Sequence, residues 1–362
     1  MHMVARLPSE ASPPHSRNAQ DLQAISQTDQ HLYSPIGDAP CVVLNVEEVD
    51  VSSSPARCNA LDHAVIIGVD TSEKPVAFSA EDFDVLLTTN PGRGRPFVEV
   101  TRSELDVALG VLDRQIRANP AAASILCQVL RAGSNLPYNQ ALLVESLGYS
   151  TLLGGGEFQK WLASRSDKTP IKGGPKPPPV LVDRVDDCVY ITLNNAGERN
   201  AMSAAMRDAL FEALSSVVDD PTEPDIVLNA NGKCFSVGGE LGEFGLSDDL
   251  ALAHSIRSLR SCTRLLASLG DRASVRVHGA CIGSGIEIAA AAKYRHAAAG
   301  AFIQLPEVSM GLIPGAGGTA SLARAIGRHR TAYLALSGKR FRAERLSGWG
   351  LFNSIGEPSR CR

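Results

Sequence analysis

Two glycine-rich segments carry the clearest chemical signal in the chain. Lys233–Leu241 (KCFSVGGEL) follows an apolar run, and His278–Ile288 (HGACIGSGIEI) runs from a strand pattern into a helix pattern. Glycines such as Gly238, Gly283 and Gly285 let the backbone approach a ligand closely and leave its N–H groups available. The second segment also aims a helix N-terminus, with its partial positive charge, at whatever binds there. Taken alone, a Gly-Ser-Gly turn reads more readily as a tight strand-to-helix connection than as a ligand site. Three neighbours change that weighting. Leu193–Ala201 (LNNAGERNA) precedes a helix, Glu287 follows the turn on the new helix, and Phe302–Thr319 (FIQLPEVSMGLIPGAGGT) carries Pro306, Glu307 and a second glycine cluster, Gly315–Gly318. Carboxyl groups among free backbone donors can move protons where the donors stabilise developing negative charge. The eight cysteines form no C-x-x-C pair and none stands with a histidine at zinc-ligand spacing, so no metal site is expected.

These residues need a scaffold that alternates strand and helix. Val189–Leu193, Ile226–Leu228 and Val275–Val277 read as strands. Ser203 is placed to cap a helix whose apolar face is Met206, Leu210, Ala213, Leu214 and Val217. Leu252, Ile256, Leu259 and Leu266 predict one long amphipathic helix. Strands alternating with helices imply a layered α/β domain.

The first half reads differently. Residues 1–38 are polar and rich in Ser, Pro and Gln, and a disordered tail is expected. Residues 39–168 form a mixed strand and helical domain. Its strands are predicted at Cys41–Val46, Ala64–Val69 and Asp84–Thr88. Helices follow, marked by Leu105, Leu109, Leu112, Ile116, Ile125, Val129, Leu142 and Leu143, and punctuated by Pro120 and Pro137. Asn139–Leu153 is apolar at helical spacing, which predicts core packing, and Gly154–Gly156 ends that helix. No site is assigned to this half. Ser54–Asp62 (SPARCNALD) echoes the 194–202 stretch NNAGERNAM, which leaves a degenerate duplication open. The proline-dense stretch Thr169–Pro179 is extended linker, and the second domain runs over residues 180–355.

A chain of 362 residues suggests two domains, and 44% apolar with 20% charged residues is enough for a sizeable core. A net charge of −4 argues against a binder that works by neutralising nucleic-acid phosphates. The N-terminus lacks a signal-peptide apolar region, and no run reaches the ~18 apolar residues of a membrane span. Cysteines inside apolar runs pack as small hydrophobes, so a cytoplasmic protein without disulfides is expected.

In their order and spacing the five segments of the second half resemble the crotonase superfamily of enoyl-CoA hydratases and isomerases. The resemblance implies a crotonase-like α/β fold of ββα repeats, a layered sheet with surrounding helices, over about residues 180–355. It implies an oxyanion hole from the backbone N–H groups of Gly239 and Ser284. It implies a water held between Glu287 and Glu307, whose separation of 307 − 287 = 20 fits the hydratase pattern. Substrate contacts fall on Arg199, Asn200, Ala201, Gly238, Gly283, Gly285, Pro314 and Gly315. The implied substrate is an acyl-CoA, with coenzyme A part of the substrate and no cofactor. The implied reaction is hydration of a 2-enoyl-CoA to a 3-hydroxyacyl-CoA. An isomerase, a thioester hydrolase and a non-catalytic CoA-binding or scaffold subunit are the alternatives. A homo-oligomer, trimer or hexamer, is also implied. Ser284 stands where the family commonly has glycine, and Glu240 where it usually has Asp. Family members continue past the segment resembling Leu346–Ser354 into helices that cover the acyl pocket. Here, either the N-terminal half covers the site, or the pocket is open, or activity is lost.

Overall fold

The computed structural model describes residues 27–48, 61–73, 77–165 and 177–356. Most of the 1–38 tail, most of Ser54–Asp62 and most of the proline-dense stretch lie outside them. Gln27–Tyr33, read from composition as disordered tail, forms a 3-10 helix whose Tyr33 is buried beside Val42, Leu44 and Phe97.

Four parallel strands follow in the order β1 (Cys41–Asn45), β2 (Val65–Asp70), β3 (Val85–Thr88) and β4 (Val98–Glu99). Every residue of β2 and β3 is buried, because both faces of this sheet are covered. Alternation sends Val43, Ile67 and Leu87 into the main core and Val42, Ile66 and Leu86 into a satellite core with Phe83. Helices α1 (Leu105–Ala118), α2 (Pro120–Ser134), α3 (Tyr138–Leu153) and α4 (Gly156–Ser164) come next. Pro120 opens α2 where its missing N–H costs nothing, and Pro137 precedes α3.

The second half has strands β5 (Val180–Val185), β6 (Cys188–Leu193), β7 (Asp225–Ala230), β8 (Ala273–Val277), β9 (Ala280–Ile282), β10 (Tyr294–Ala297), β11 (Phe302–Gln304), β12 (Phe341–Arg342) and β13 (Ser354–Ile355). Six of them form a sheet in the order β13-β10-β8-β7-β6-β5, parallel except for the β5–β6 hairpin. The other three form a small sheet, β12-β11-β9, in which β9 and β11 run parallel. Around them lie α5 (Ala204–Val218), α6 (Leu250–Leu259), α7 (Cys262–Ser268), α8 (Ser284–Ala289), α9 (Gly318–Ile326), α10 (Arg328–Ser337) and α11 (Ala343–Ser347). This is the layered α/β arrangement that the resemblance implies. The Ser203 hydroxyl accepts from Met206 N at 3.2 Å and caps α5, which buries the five apolar residues of its predicted face.

One predicted helix is two. The stretch carrying Leu252 to Leu266 breaks at Ser261, whose hydroxyl accepts from Arg264 N and starts α7. Leu266 is buried, but Leu252, Ile256 and Leu259 are exposed. Cys41, Cys127, Cys234, Cys262 and Cys281 are buried free thiols. Cys188, at the tight β5–β6 turn, departs from the expectation of thiols throughout: it is disulfide-bonded. No described helix is long and apolar enough to cross a membrane.

The main core does not stop at the proline-dense stretch, since Leu112, Ile116 and Leu126 share it with Ile286, Leu312 and Leu334. The start of α10 pins the two halves with three consecutive basic residues. Arg328 Nη1 donates to Phe83 O at 2.6 Å, and its Nη2 donates to Glu81 O at 3.1 Å and Ala80 O at 3.2 Å. His329 Nε2 bonds Ala80 O at 2.9 Å, and Arg330 Nε donates to Phe97 O at 2.9 Å. Replacing Arg328 by Ala strands buried carbonyls, and the expected loss is about 2–4 kcal/mol of stability, read from the denaturant midpoint. Arg328→Lys is expected to recover little of it, because a single ammonium cannot reach carbonyls on both sides as the guanidinium fork does.

Candidate active site

Strand pairing lays the two glycine-rich segments side by side. Phe235 N donates to His278 O at 2.8 Å, Ser236 N to Ala280 O at 3.1 Å and Ile282 N to Ser236 O at 3.0 Å. The segments therefore touch at Gly238 and Gly283, where a Cβ on either would lie 3.7 Å from the other's Cα. Gly238 has φ +91° and Gly283 φ +49°, in the left-handed half of the map that favours glycine. Gly238 O accepts from Met202 N at 2.8 Å, and Met202 O accepts from Glu240 N at 3.2 Å. Between them the N–H of Gly239 has no partner among the described residues. Ser284 is the first residue of α8, so its N–H has no acceptor inside the helix. Two unpaired N–H groups thus sit on adjoining turns. The Ser284 hydroxyl is buried and also lacks a partner among the described residues.

Glu287 lies on the same helix and is 2% exposed. Its Oε2 accepts from Ala316 N at 2.7 Å and Gly318 N at 3.0 Å. A Cβ at Gly318 would come 2.6 Å from Glu287 Cγ, so the close approach needs glycine there. Glu307 starts a 3-10 turn, Glu307–Met310, and leans over the junction: a Cβ on Gly283 would meet its Oε1 at 2.6 Å. Its Oε2 is buried without a partner among the described residues. Burial drives the Glu287 carboxyl well above its usual range, and the nearby Glu307 and Glu145 charges push it further. Burial likewise lifts Glu307 to about 8.

These groups line one cavity of about 1210 Å³. Gly238, Gly239, Gly283, Ser284, Glu287, Glu307 and Gly315 are in its wall; Arg199, Asn200, Ala201, Gly285 and Pro314 are not. The absent ones shape the loops from behind. Asn200 is fully buried; its Oδ1 accepts from Asn195 N at 2.8 Å and its Nδ2 donates to Asn231 O and Cys234 O. Arg199 O accepts from Val237 N at 3.2 Å, Gly285 lies flush on Ser236, and Pro314 abuts Gly318.

A third carboxyl comes from the half to which the sequence assigned no site. Glu145 of α3 is 2% exposed and faces the cavity. It accepts from Gly317 N at 2.6 Å, Thr319 N at 2.7 Å and Thr319 Oγ1 at 2.6 Å. Burial raises it to about 7. Tyr149, one turn on, lies against Gly315, where a Cβ would overlap its ring. The Arg257 guanidinium stacks 4.6 Å over that ring, and its Nε donates to Ser146 Oγ at 3.0 Å. So α3 buries Ala141 and Leu152 as predicted, but Glu145 and Ser146 also point inward, while Leu143 and Leu147 are exposed. The available signal was isolation, for Glu145 is the one charged residue between Arg131 and Glu157. Among the described residues no group of His, Cys, Asp and Glu is arranged to hold a metal ion.

The mostly parallel sheet with its surrounding helices and the adjoining glycine turns place the second half among crotonase-type α/β domains. Residues 184–357 match the enoyl-CoA hydratase/isomerase family, and the chain belongs to it. Over 176 residues it is 31% identical to a probable enoyl-CoA hydratase of Bacillus subtilis (strain 168), covering 48% of this chain and 67% of that protein. It is 28% identical over 176 residues to the 2,3-dehydroadipyl-CoA hydratase of Escherichia coli (strain K12), covering 49% of this chain and 68% of that one. A solved enoyl-CoA hydratase structure from Thermoplasma volcanium GSS1 is 31% identical, with a TM-score of 0.45, covering 50% of this chain and 73% of that one. The chain spans about two thirds of the length of the curated relatives it matches.

The three raised carboxyls give stability a pH dependence of definite sign. Each binds its proton more tightly folded than unfolded, so its contribution is complete below 4.5 and is lost as pH rises through about 7 for Glu145 and about 8 for Glu307. The thermal midpoint is expected to fall as pH rises from 4.5 towards about 8. Glu307→Gln, which keeps the shape without the charge, is expected to flatten that fall.

Proposed function

We propose that this site adds water across the double bond of a 2-enoyl-CoA to give a 3-hydroxyacyl-CoA. The observation that carries the reading is two protonatable carboxyls, Glu287 and Glu307, beside two unpaired N–H groups, Gly239 and Ser284. The thioester oxygen lies between the two N–H groups and the water between the two carboxyls. The ionised carboxyl takes a proton from water as the water oxygen bonds to C3. The C2–C3 π electrons move to C2 and the carbonyl, and the enolate oxygen is met by donors already in place. The protonated carboxyl then delivers its proton to C2. The pair titrates as a unit, since each charge opposes the other. A double-bond shift needs only one carboxyl for proton relay, so the second favours hydration. The N-terminal half covers one side of the pocket through α3. A homo-oligomer belongs to the same proposal, supported by the exposed Leu147 and Leu252 on the neighbouring helices α3 and α6, outside the cavity wall.

Crotonyl-CoA hydration tests the reading. Glu287→Gln and Glu307→Gln are each expected to lower kcat by about 10²–10⁴. Near-normal hydration in Glu287→Gln with a dead Glu307→Gln would instead mark a single-carboxyl isomerase. The backbone donor has its own test. Ser284→Pro removes an N–H that the helix does not use, and a loss of about 10²–10³ in turnover is expected with little loss of fold. Ser284→Ala keeps that N–H and is expected to stay close to wild type; the reverse order would make the hydroxyl the working group.

A further inference from the structure

The loop that seats Glu287 is held from both sides. Its successive amides alternate: Ala316 N and Gly318 N go to Glu287, while Gly317 N and Thr319 N go to Glu145. The loop has few side chains to brace it, and at Gly317 the backbone has φ +104°, with Thr263 filling the place of a Cβ. Besides Glu287, the side-chain anchors here are the Thr263 hydroxyl on Ala316 O, the Ser321 hydroxyl on Gly317 O at 2.8 Å and the Glu145 carboxyl. Glu145 is in turn placed by α3, which is tied to α6 through Ser146 with His254 and Arg257, and through Ser150 with Leu250 O.

We propose that Glu145 is a positioning residue for Glu287: from the N-terminal half it holds the 316–319 backbone so that Ala316 N and Gly318 N remain aimed at the catalytic carboxyl. A buried carboxyl with no cation in ion-pair contact among the described residues is costly unless donors surround it, and all three of its donors come from Gly317 and Thr319. Charge-assisted bonds to two amides and a hydroxyl stiffen a glycine-rich turn that would otherwise sample several conformations. The titratable and charged groups facing Glu145 are Glu287 of α8, Glu307, Tyr138 and Tyr149 of α3, and Arg257 of α6, with His254 behind Ser146. Glu145 also sets charge, because an ionised Glu145 opposes ionisation of both Glu287 and Glu307.

The kinetic half of this proposal rests on the hydratase reading; the structural half does not. The test uses the full chain with Glu145→Gln and Thr319→Val, measuring hydrogen exchange across 316–319 and crotonyl-CoA hydration against pH. A glutamine oxygen cannot replace both carboxylate oxygens, and its NH2 would face an N–H. Exchange is expected to rise at Ala316 and Gly318, which bond Glu287 rather than Glu145. Turnover is expected to fall about 10²-fold, as for a small misplacement of a catalytic group, with KM little changed. The acid limb of kcat is expected to move to lower pH, because a negative charge beside Glu287 and Glu307 has gone. A merely structural tie would lower the yield of folded protein without moving that limb. Thr319→Val removes only the hydroxyl donor and is expected to shift exchange and kcat in the same direction by less. Wild-type exchange and kcat in Glu145→Gln would overturn the proposal. If Glu145→Gln does not fold, unchanged exchange and kcat in Thr319→Val would do the same. If the wild type fails to hydrate crotonyl-CoA, the hydratase reading falls, and exchange at Ala316 and Gly318 still decides this one.

Discussion

A carboxyl group taken out of water must be met by hydrogen-bond donors, and in this cavity most of those donors are backbone N–H groups. Ala316, Gly317, Gly318 and Thr319 supply them in strict alternation to Glu287 and Glu145. That demand explains the glycines. A side chain at 318 would occupy the space of the Glu287 carboxyl, one at 317 that of Thr263, and one at 315 that of the Tyr149 ring. It also explains why α3 turns a glutamate and a serine inward while Leu143 and Leu147 are exposed. The glycine turns obey the complementary rule: Gly239 and Ser284 keep N–H groups that nothing in the described chain uses.

Much of the second half was legible because its elements are amphipathic and its punctuation is local. The Ser203 cap, the inward face of α5 and strands β6, β7 and β8 all follow from patterns a few residues long. The cavity wall was legible where a glycine turn abuts a carboxyl. It was not legible where a sequence motif and a cavity part company. Arg199–Ala201 belong to a recognisable segment, yet Asn200 is a fully buried bracket between loops and none of the three reaches the cavity. Periodicity was equally silent on which face of a helix meets a pocket. On α6, Leu252, Ile256 and Leu259 have the spacing of a buried face and lie exposed, and on α3 Glu145 is buried while Leu143 and Leu147 are not. Helical spacing specifies a stripe, while tertiary context specifies what the stripe faces.

The N-terminal half is bound to the second by chemistry of the same kind. Arg328, His329 and Arg330 donate to carbonyls of the 80–83 turn and of Phe97, satisfying backbone that the small parallel sheet leaves over. Glu157 of α4 returns the favour within the helical segment, accepting from Ala121 N and Ala122 N at the start of α2. Side chains ending main-chain orphans is the recurrent device, and it ties segments that are far apart in sequence.

The bond between Glu145 and Gly317 joins positions 172 residues apart. Closing a loop of that length costs chain entropy that no local helix or hairpin can offset. The seat of Glu287 is therefore absent from any partly folded form in which either half is still loose. During synthesis it cannot form until Thr319 has been made and has found a helix completed long before. The seat of Glu287 in this chain thus reports on a long-range folding event, the docking of α3 against the 316–319 loop.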